Sequence, residues 1–301
     1  MDRKAAYMQL LVKFLVKIMV FFSSLFPRHW LRKSGAWVGF LWFDVLGFRK
    51  RIVLDNLALA LPEKSESERE AIGRESVYQL GYNFAEFFLI PSITDEWMQK
   101  NVIFEGWENI EKARELKKGM FFLSLHLGNG DLASNAIAMK GQEIFIITKR
   151  FKSKWFDDLW FSVRGAKGVQ YIDAHGPNNA FEILKALKKN AGLVFVLDQY
   201  MGKPYGIETS FFGKKTGTAY GLALFAQKTK APILPIYTYE GADNKIHVVV
   251  EPALDTAKYV TENKDESILN LTQAFNDKLE EIVRQHPEQW MWVHRRWKDF
   301  K

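Results

Sequence analysis

Gly119-Met-Phe-Phe-Leu-Ser-Leu-His126-Leu-Gly-Asn-Gly-Asp131 is the stretch on which the reading of this chain turns. Its first seven residues are almost wholly apolar and of strand length, the pattern of a strand covered on both faces. The run stops at His126, a glycine-asparagine-glycine turn follows, and Asp131 stands where a helix opens. In open α/β sheets ligands bind beyond the carboxyl ends of the strands, so His126 is placed where a catalytic group belongs. Asp131, favoured at a helix start by the macrodipole, is read as folding back onto the imidazole. A carboxylate there would fix one ring nitrogen as a donor and leave the other to take a proton from a substrate alcohol.

The pattern repeats outward from this strand. Apolar runs at 102–105, 119–125, 143–148, 169–172, 192–197, 232–239 and 245–251 read as strands, and helical patterns near 108–117, 131–140, 154–165, 178–190 and 217–229 fall between them. That alternation predicts an α/β fold, a central sheet with helices on its faces. Ser65-Glu-Ser-Glu68 has the spacing of a capping box and starts a helix that runs towards Pro91. Near the other end Ile268, Leu271, Phe275, Leu279 and Ile282 keep helical spacing. With 301 residues the chain holds one large domain, residues 51–301, preceded by a segment of different character, residues 1–50.

That segment is basic and apolar together. The net charge of the chain is +7, yet residues 1–51 hold ten lysines and arginines against two aspartates, so the rest of the chain is close to neutral. A basic excess confined to an aromatic, apolar end points to anionic lipid headgroups and argues against nucleic acid, which needs a basic face on the folded body. Ala5–Phe26 is long enough to cross a bilayer, but Lys13 and Lys17 interrupt it on one helix face; spanning and interfacial placement both fit. A second apolar run, residues 35–48, has basic flanks and either joins an interfacial belt or forms a buried hairpin with the first. Pro27-Arg28-His29-Trp30 makes a poor signal cleavage site, so the segment is expected to remain as a membrane anchor.

There is no cysteine, which excludes thiolate metal sites and a cysteine nucleophile. H-x4-D is not a zinc motif, so no metal and no cofactor are expected, and the absence of G-x-S-x-G argues against a serine hydrolase. Gly128-x-Gly130-x-x-Ala133 is a weak dinucleotide fingerprint, which Lys149-Arg150 would suit through a 2′-phosphate. Asp131 would repel a pyrophosphate at that helix terminus, and the cofactor reading ranks below the His126 one.

In their order along the chain these residues resemble the late acyltransferases of lipid A biosynthesis, the lauroyl and myristoyl transferases, within the wider lysophospholipid and glycerophosphate acyltransferase superfamily. The likeness rests on the N-terminal hydrophobic run, Arg51 to Asn56-Leu57, Leu61-Pro62, His126-x4-Asp131, Arg164 with Gly168, and Asp198-Gln199. It continues through Phe211-Phe212-Gly213 with Thr216, Ala231-Pro-Ile-Leu-Pro235, and Gln289-Trp-Met-Trp292-x-His294-Arg-Arg-Trp297. Many lipid A enzymes have Glu where Asp131 stands here.

The resemblance implies a glycerophosphate-acyltransferase-like mixed sheet and transfer of an acyl chain from acyl carrier protein, or coenzyme A, to a hydroxyl of a lipid A precursor. The enzyme would sit on the bacterial inner membrane with its catalytic domain on the cytoplasmic side. His126, Asp131 and Arg164 are then the catalytic candidates, without an acyl-enzyme. Asn129, Lys149, Arg150, Asp198, Gln199, Phe211 and Phe212 are the substrate-binding candidates. Arg164 also reads as a surface arginine and Asp198 as a turn residue at a strand end. Alternatives of the same chemistry acylate a lysophospholipid, glycerol phosphate, an aminolipid or another glycolipid; a non-catalytic lipid-binding protein is the alternative of a different class.

Overall fold

The computed structural model describes the backbone of residues 3–301 and the side chains of residues 7–301, so the first two residues of the 1–50 segment lie outside the described residues. Seven strands form one sheet: β1 (Val102–Glu105), β2 (Met120–Ser124), β3 (Ile144–Thr148), β4 (Gln170–Asp173), β5 (Gly192–Val196), β8 (Ile233–Glu240) and β9 (Ile246–Val250). Their order is β1-β9-β8-β2-β5-β3-β4, with all pairings parallel except β8 against β9. Every apolar run read as a strand is one, to within two residues at each end.

The sheet has a core on each side. On β2, Phe121 and Leu123 face one core while Met120 and Phe122 face the other, which is why this strand admits no alternation with polar residues. One layer holds α9 (Asn179–Lys188), α10 (Gly221–Thr229) and α11 (Lys264–Gln285); the opposite layer holds α6 (Trp107–Glu115), α7 (Gly130–Met139) and α8 (Lys154–Arg164). The five residues spaced along α11 are all buried.

One expectation needs correction, and two helices went unread. The helix read at 217–229 begins at Gly221, because residues 214–219 form β7 (Lys214–Ala219), paired with β6 (Gly206–Phe211) as a separate antiparallel hairpin. The helices α3 (Lys50–Ala60) and α5 (Asp95–Asn101) were not anticipated.

At the N-terminus, α1 (Arg3–Leu25) is the one helix among the described residues long and apolar enough to cross a membrane. It touches the body through Val16 and Val20, and leaves Tyr7, Leu10, Leu11, Phe14, Phe21 and Phe22 exposed. By contrast, α2 (Arg28–Phe40) is packed closely on α4 (Glu66–Phe87). A Cβ at Gly35 or Gly81 would run into the other helix's backbone, so glycine sets the approach. The outer side of residues 28–48 still exposes Trp30, Trp37, Phe40, Leu46 and Phe48. The run at 35–48 therefore has one face fastened to the body and one apolar face left open. At the start of α4, Ser65 and Glu68 make the reciprocal capping box that their spacing predicts.

Candidate active site

His126 emerges two residues beyond the end of β2, at the centre of the sheet, and Asp198 emerges two residues beyond β5, its parallel neighbour. The pairing continues past the strands, since the Leu197 N–H donates to the Ser124 carbonyl. Parallel register thus sets two residues 72 positions apart side by side.

Asp198 is 2 % exposed and has three donors. His126 Nδ1–H donates to its Oδ1 at 2.8 Å; the His126 backbone N–H, at 3.1 Å, and Trp290 Nε1–H, at 2.7 Å, both donate to its Oδ2. Burial alone would raise this carboxyl pKa, but His126 and the other donors hold it below the usual carboxylate range. An ionised carboxylate can only accept, so Nδ1 carries the proton and Nε2 is the free lone pair. Burial disfavours charge on the ring, and Asp198 overrides that, leaving the imidazole pKa raised above 6.5. The imidazole itself stays 40 % exposed, open to a substrate.

Asp131 does not hold the imidazole. Its Oδ1 accepts from Arg164 Nε at 2.6 Å, and the pair acts on the ring only through charge, in opposite senses. The physical reason is geometric: Asp131 lies in the first turn of α7 and turns towards the end of α8, where Arg164 is held from behind by Asn135 Nδ2 on its carbonyl. The Nη groups of Arg164 make no hydrogen bond to the described protein. The guanidinium lies 5.4 Å from the centre of the Tyr171 ring, whose hydroxyl is buried without a partner among the described residues, its pKa pushed up by burial.

The turn between His126 and α7 is built to one shape. Gly128 has φ +57, and a Cβ there would strike the Thr238 carbonyl, so only glycine fits. Its own carbonyl accepts from Asn83 at 2.6 Å, and its N–H donates to the Gln289 carbonyl. Asn129 is buried and caps α7 through Oδ1 to the Leu132 N–H, while its Nδ2 donates to Glu86 at 2.9 Å. Glu86 in turn accepts from Arg28 of α2 at 2.6 Å, so the N-terminal segment is wired to the active-site turn.

Other candidates are dispersed. The Gln199 amide approaches the His126 ring no closer than 3.4 Å, too long for a strong bond. Phe211 and Phe212 lie at the tip of the β6–β7 hairpin, buried among Trp290, Trp292 and Trp297 behind Asp198. Arg150 is engaged by both oxygens of Asp157, while Lys149 is exposed beyond β3 on the same edge of the sheet as His126. Arg296 is fully buried, donating to Gln199, Gly217 and Thr218 without a carboxylate. Burial lowers its pKa to about 10. It braces the hairpin and cannot reach an external phosphate. Sequence reasoning missed Trp290 as a donor to Asp198, although the run Gln289-Trp-Met-Trp292 was visible, and it missed Glu86 and Tyr171 entirely. Among the described residues no cluster of three or more metal-ligating side chains occurs.

Comparison with known proteins gives a consistent set of relatives. The family profile described as bacterial lipid A biosynthesis acyltransferase matches residues 1–299. A lipid A biosynthesis acyltransferase 2 of Shigella flexneri is 25 % identical over 275 residues, covering 90 % of this chain and 84 % of the relative. The lipid A biosynthesis palmitoleoyltransferase of Escherichia coli K12 is 25 % identical over 296 residues, covering 91 % and 93 %. The myristoyltransferase of the same pathway and organism is 25 % identical over 246 residues, covering 81 % and 73 %.

Proposed function

This chain belongs to the bacterial lipid A biosynthesis acyltransferase family, and on that premise we propose that it transfers a fatty acyl chain from an acyl carrier protein or coenzyme A thioester to a hydroxyl of a lipid A precursor. The observation that supports the reading is the contact of His126 with Asp198: Nδ1 lies 2.8 Å from Oδ1 of the buried carboxylate while the imidazole side chain stays 40 % exposed, which leaves Nε2 to serve as the base.

In the reaction Nε2 takes the proton of the acceptor hydroxyl as its oxygen attacks the thioester carbonyl carbon. Asp198 holds the ring and stabilises the imidazolium without being protonated. The tetrahedral oxyanion is met by the free Nη groups of Arg164, which Asp131 positions through Nε, and by N–H groups of the glycine turn. Collapse breaks the C–S bond, and the imidazolium returns its proton to the leaving thiolate. No acyl-enzyme is required, because the hydroxyl attacks directly once both substrates are held together. Lys149 beyond β3 offers an exposed charge for an acidic carrier or a phosphate. The exposed apolar faces of α1 and α2 rest in the inner membrane, with the body on the cytoplasmic side where the thioesters are made.

The test is a purified full-length assay with acyl carrier protein and coenzyme A thioesters offered separately to a lipid A precursor, read by mass spectrometry. Addition of one acyl mass to the precursor is expected. Acylation of lysophospholipid or glycerol phosphate alone would replace this reading with one of the same chemistry on another acceptor.

A further inference from the structure

Two cavities meet at the corner where α1 passes into α2. One, of about 660 Å³, is lined by Arg28, His29, Arg32, Lys33 and Lys100 and, among the described residues, by no aspartate or glutamate. The other, of about 480 Å³, is apolar and runs between α1, α2 and α4, past Met19, Phe22, Leu31, Val38, Phe84 and Phe88. Phe26 lines both, so they are two compartments of one depression.

The charges divide cleanly. Arg28 and Arg32 are turned back towards Glu86 and Glu240, which neutralise them. His29, Lys33 and Lys100 are exposed and have no carboxylate partner among the described residues. Lys33 is held over the Trp30 ring at 4.7 Å, a cation resting at an aromatic edge as at a membrane interface. An apolar trough that opens on the lipid-facing side of α1 and ends in a cationic basin is complementary to one kind of molecule, an acyl chain carrying a negative headgroup.

We propose that this corner is a binding site for a phosphorylated membrane lipid, its phosphate among His29, Lys33 and Lys100 and one acyl chain in the trough beside Phe84 and Phe88. Free phosphate would find the basin but leave the trough wet, and a zwitterionic lipid would fill the trough without the net charge the basin calls for. The site also has a path to the catalytic turn: Arg28 lines the basin, bonds Glu86, and Glu86 accepts from Asn129, the cap of the helix that presents Asp131.

The experiment is thermal unfolding of the full-length protein in maltoside micelles, titrated with dioleoyl phosphatidylglycerol, dioleoyl phosphatidylcholine or inorganic phosphate. Phosphatidylglycerol is expected to raise the midpoint at about tenfold lower concentration than phosphatidylcholine, with inorganic phosphate inert over that range. Lys33→Glu with Lys100→Glu should weaken the phosphatidylglycerol response by about tenfold or more, and Ala85→Trp, which fills the trough, should weaken the response to both lipids. Lys33→Gln with Lys100→Gln repeats the measurement if charge reversal disturbs folding, which the lipid-free midpoint reports. Equal responses to the two lipids, a response to phosphate matching that to lipid, or titrations unchanged by both sets of variants would overturn the proposal.

Discussion

Two carboxylates flank His126, and the fold treats them differently. Asp198 is buried, fixed by three N–H donors, and touches the ring directly. Asp131 is 27 % exposed, bonded to Arg164, and touches the ring only through space. The difference separates two tasks that one motif spacing suggests belong together. A carboxylate sealed from water can hold a tautomer and tune a base; one at the rim, paired with an arginine that keeps free donors, can aim those donors at charge that develops during reaction.

The sharpest way to break this division is to remove the base. His126→Ala is expected to lower acyl transfer by about 10⁴-fold or more, while the fold survives because Asp198 keeps the Trp290 N–H and the backbone N–H of residue 126. A purified assay beside circular dichroism checks both halves. Next in size, Arg164→Ala should cost about 10²- to 10³-fold in kcat with little change in KM for the thioester, the expected loss for a group acting on the transition state. Asp131→Asn should cost less, because Arg164 stays charged and its amide partner can still accept from Nε. An equal loss in both variants would mean that Asp131 acts on substrate itself. The smallest effect is expected for Trp290→Phe, which removes one donor from a buried carboxylate. It should destabilise the protein by about 1–3 kcal/mol in denaturant unfolding and reduce kcat modestly, by loosening Asp198.

Much of this was legible in the chain, for reasons that can be named. The seven strands of the sheet are continuous apolar runs because the sheet has a core on both sides, and such runs are hard to misplace. Residues 206–219 gave no comparable signal. The β6–β7 hairpin is polar along much of its length, and its turn is Phe212-Gly213 with φ +51 and +67, where sequence patterns favour asparagine before glycine. Phe212 tolerates that backbone because its ring is buried against Trp292 and Trp297 and its N–H donates to Glu280 at 2.6 Å. None of those partners is near in sequence. The site divided the same way. His126 could be read from the strand that ends on it, whereas its true carboxylate partner depends on which strand lies beside β2. The spacing of a five-residue motif carries no information about β5, so Asp131 was the only partner in view.

Whether Asp198 tunes His126 as the proposed base is tested most directly by the pH dependence of kcat/KM for wild type, Asp198→Asn and Asp131→Asn. The proposed reaction requires neutral His126, and Asp198 raises its pKa, so wild-type activity should fall as pH drops through a value above 6.5. In Asp198→Asn that acid limb should move to lower pH as the maximal rate falls, and in Asp131→Asn, which leaves the charge of Arg164 uncompensated, it should move in the same direction but by less. An acid limb that moves in Asp131→Asn and holds still in Asp198→Asn would contradict the account.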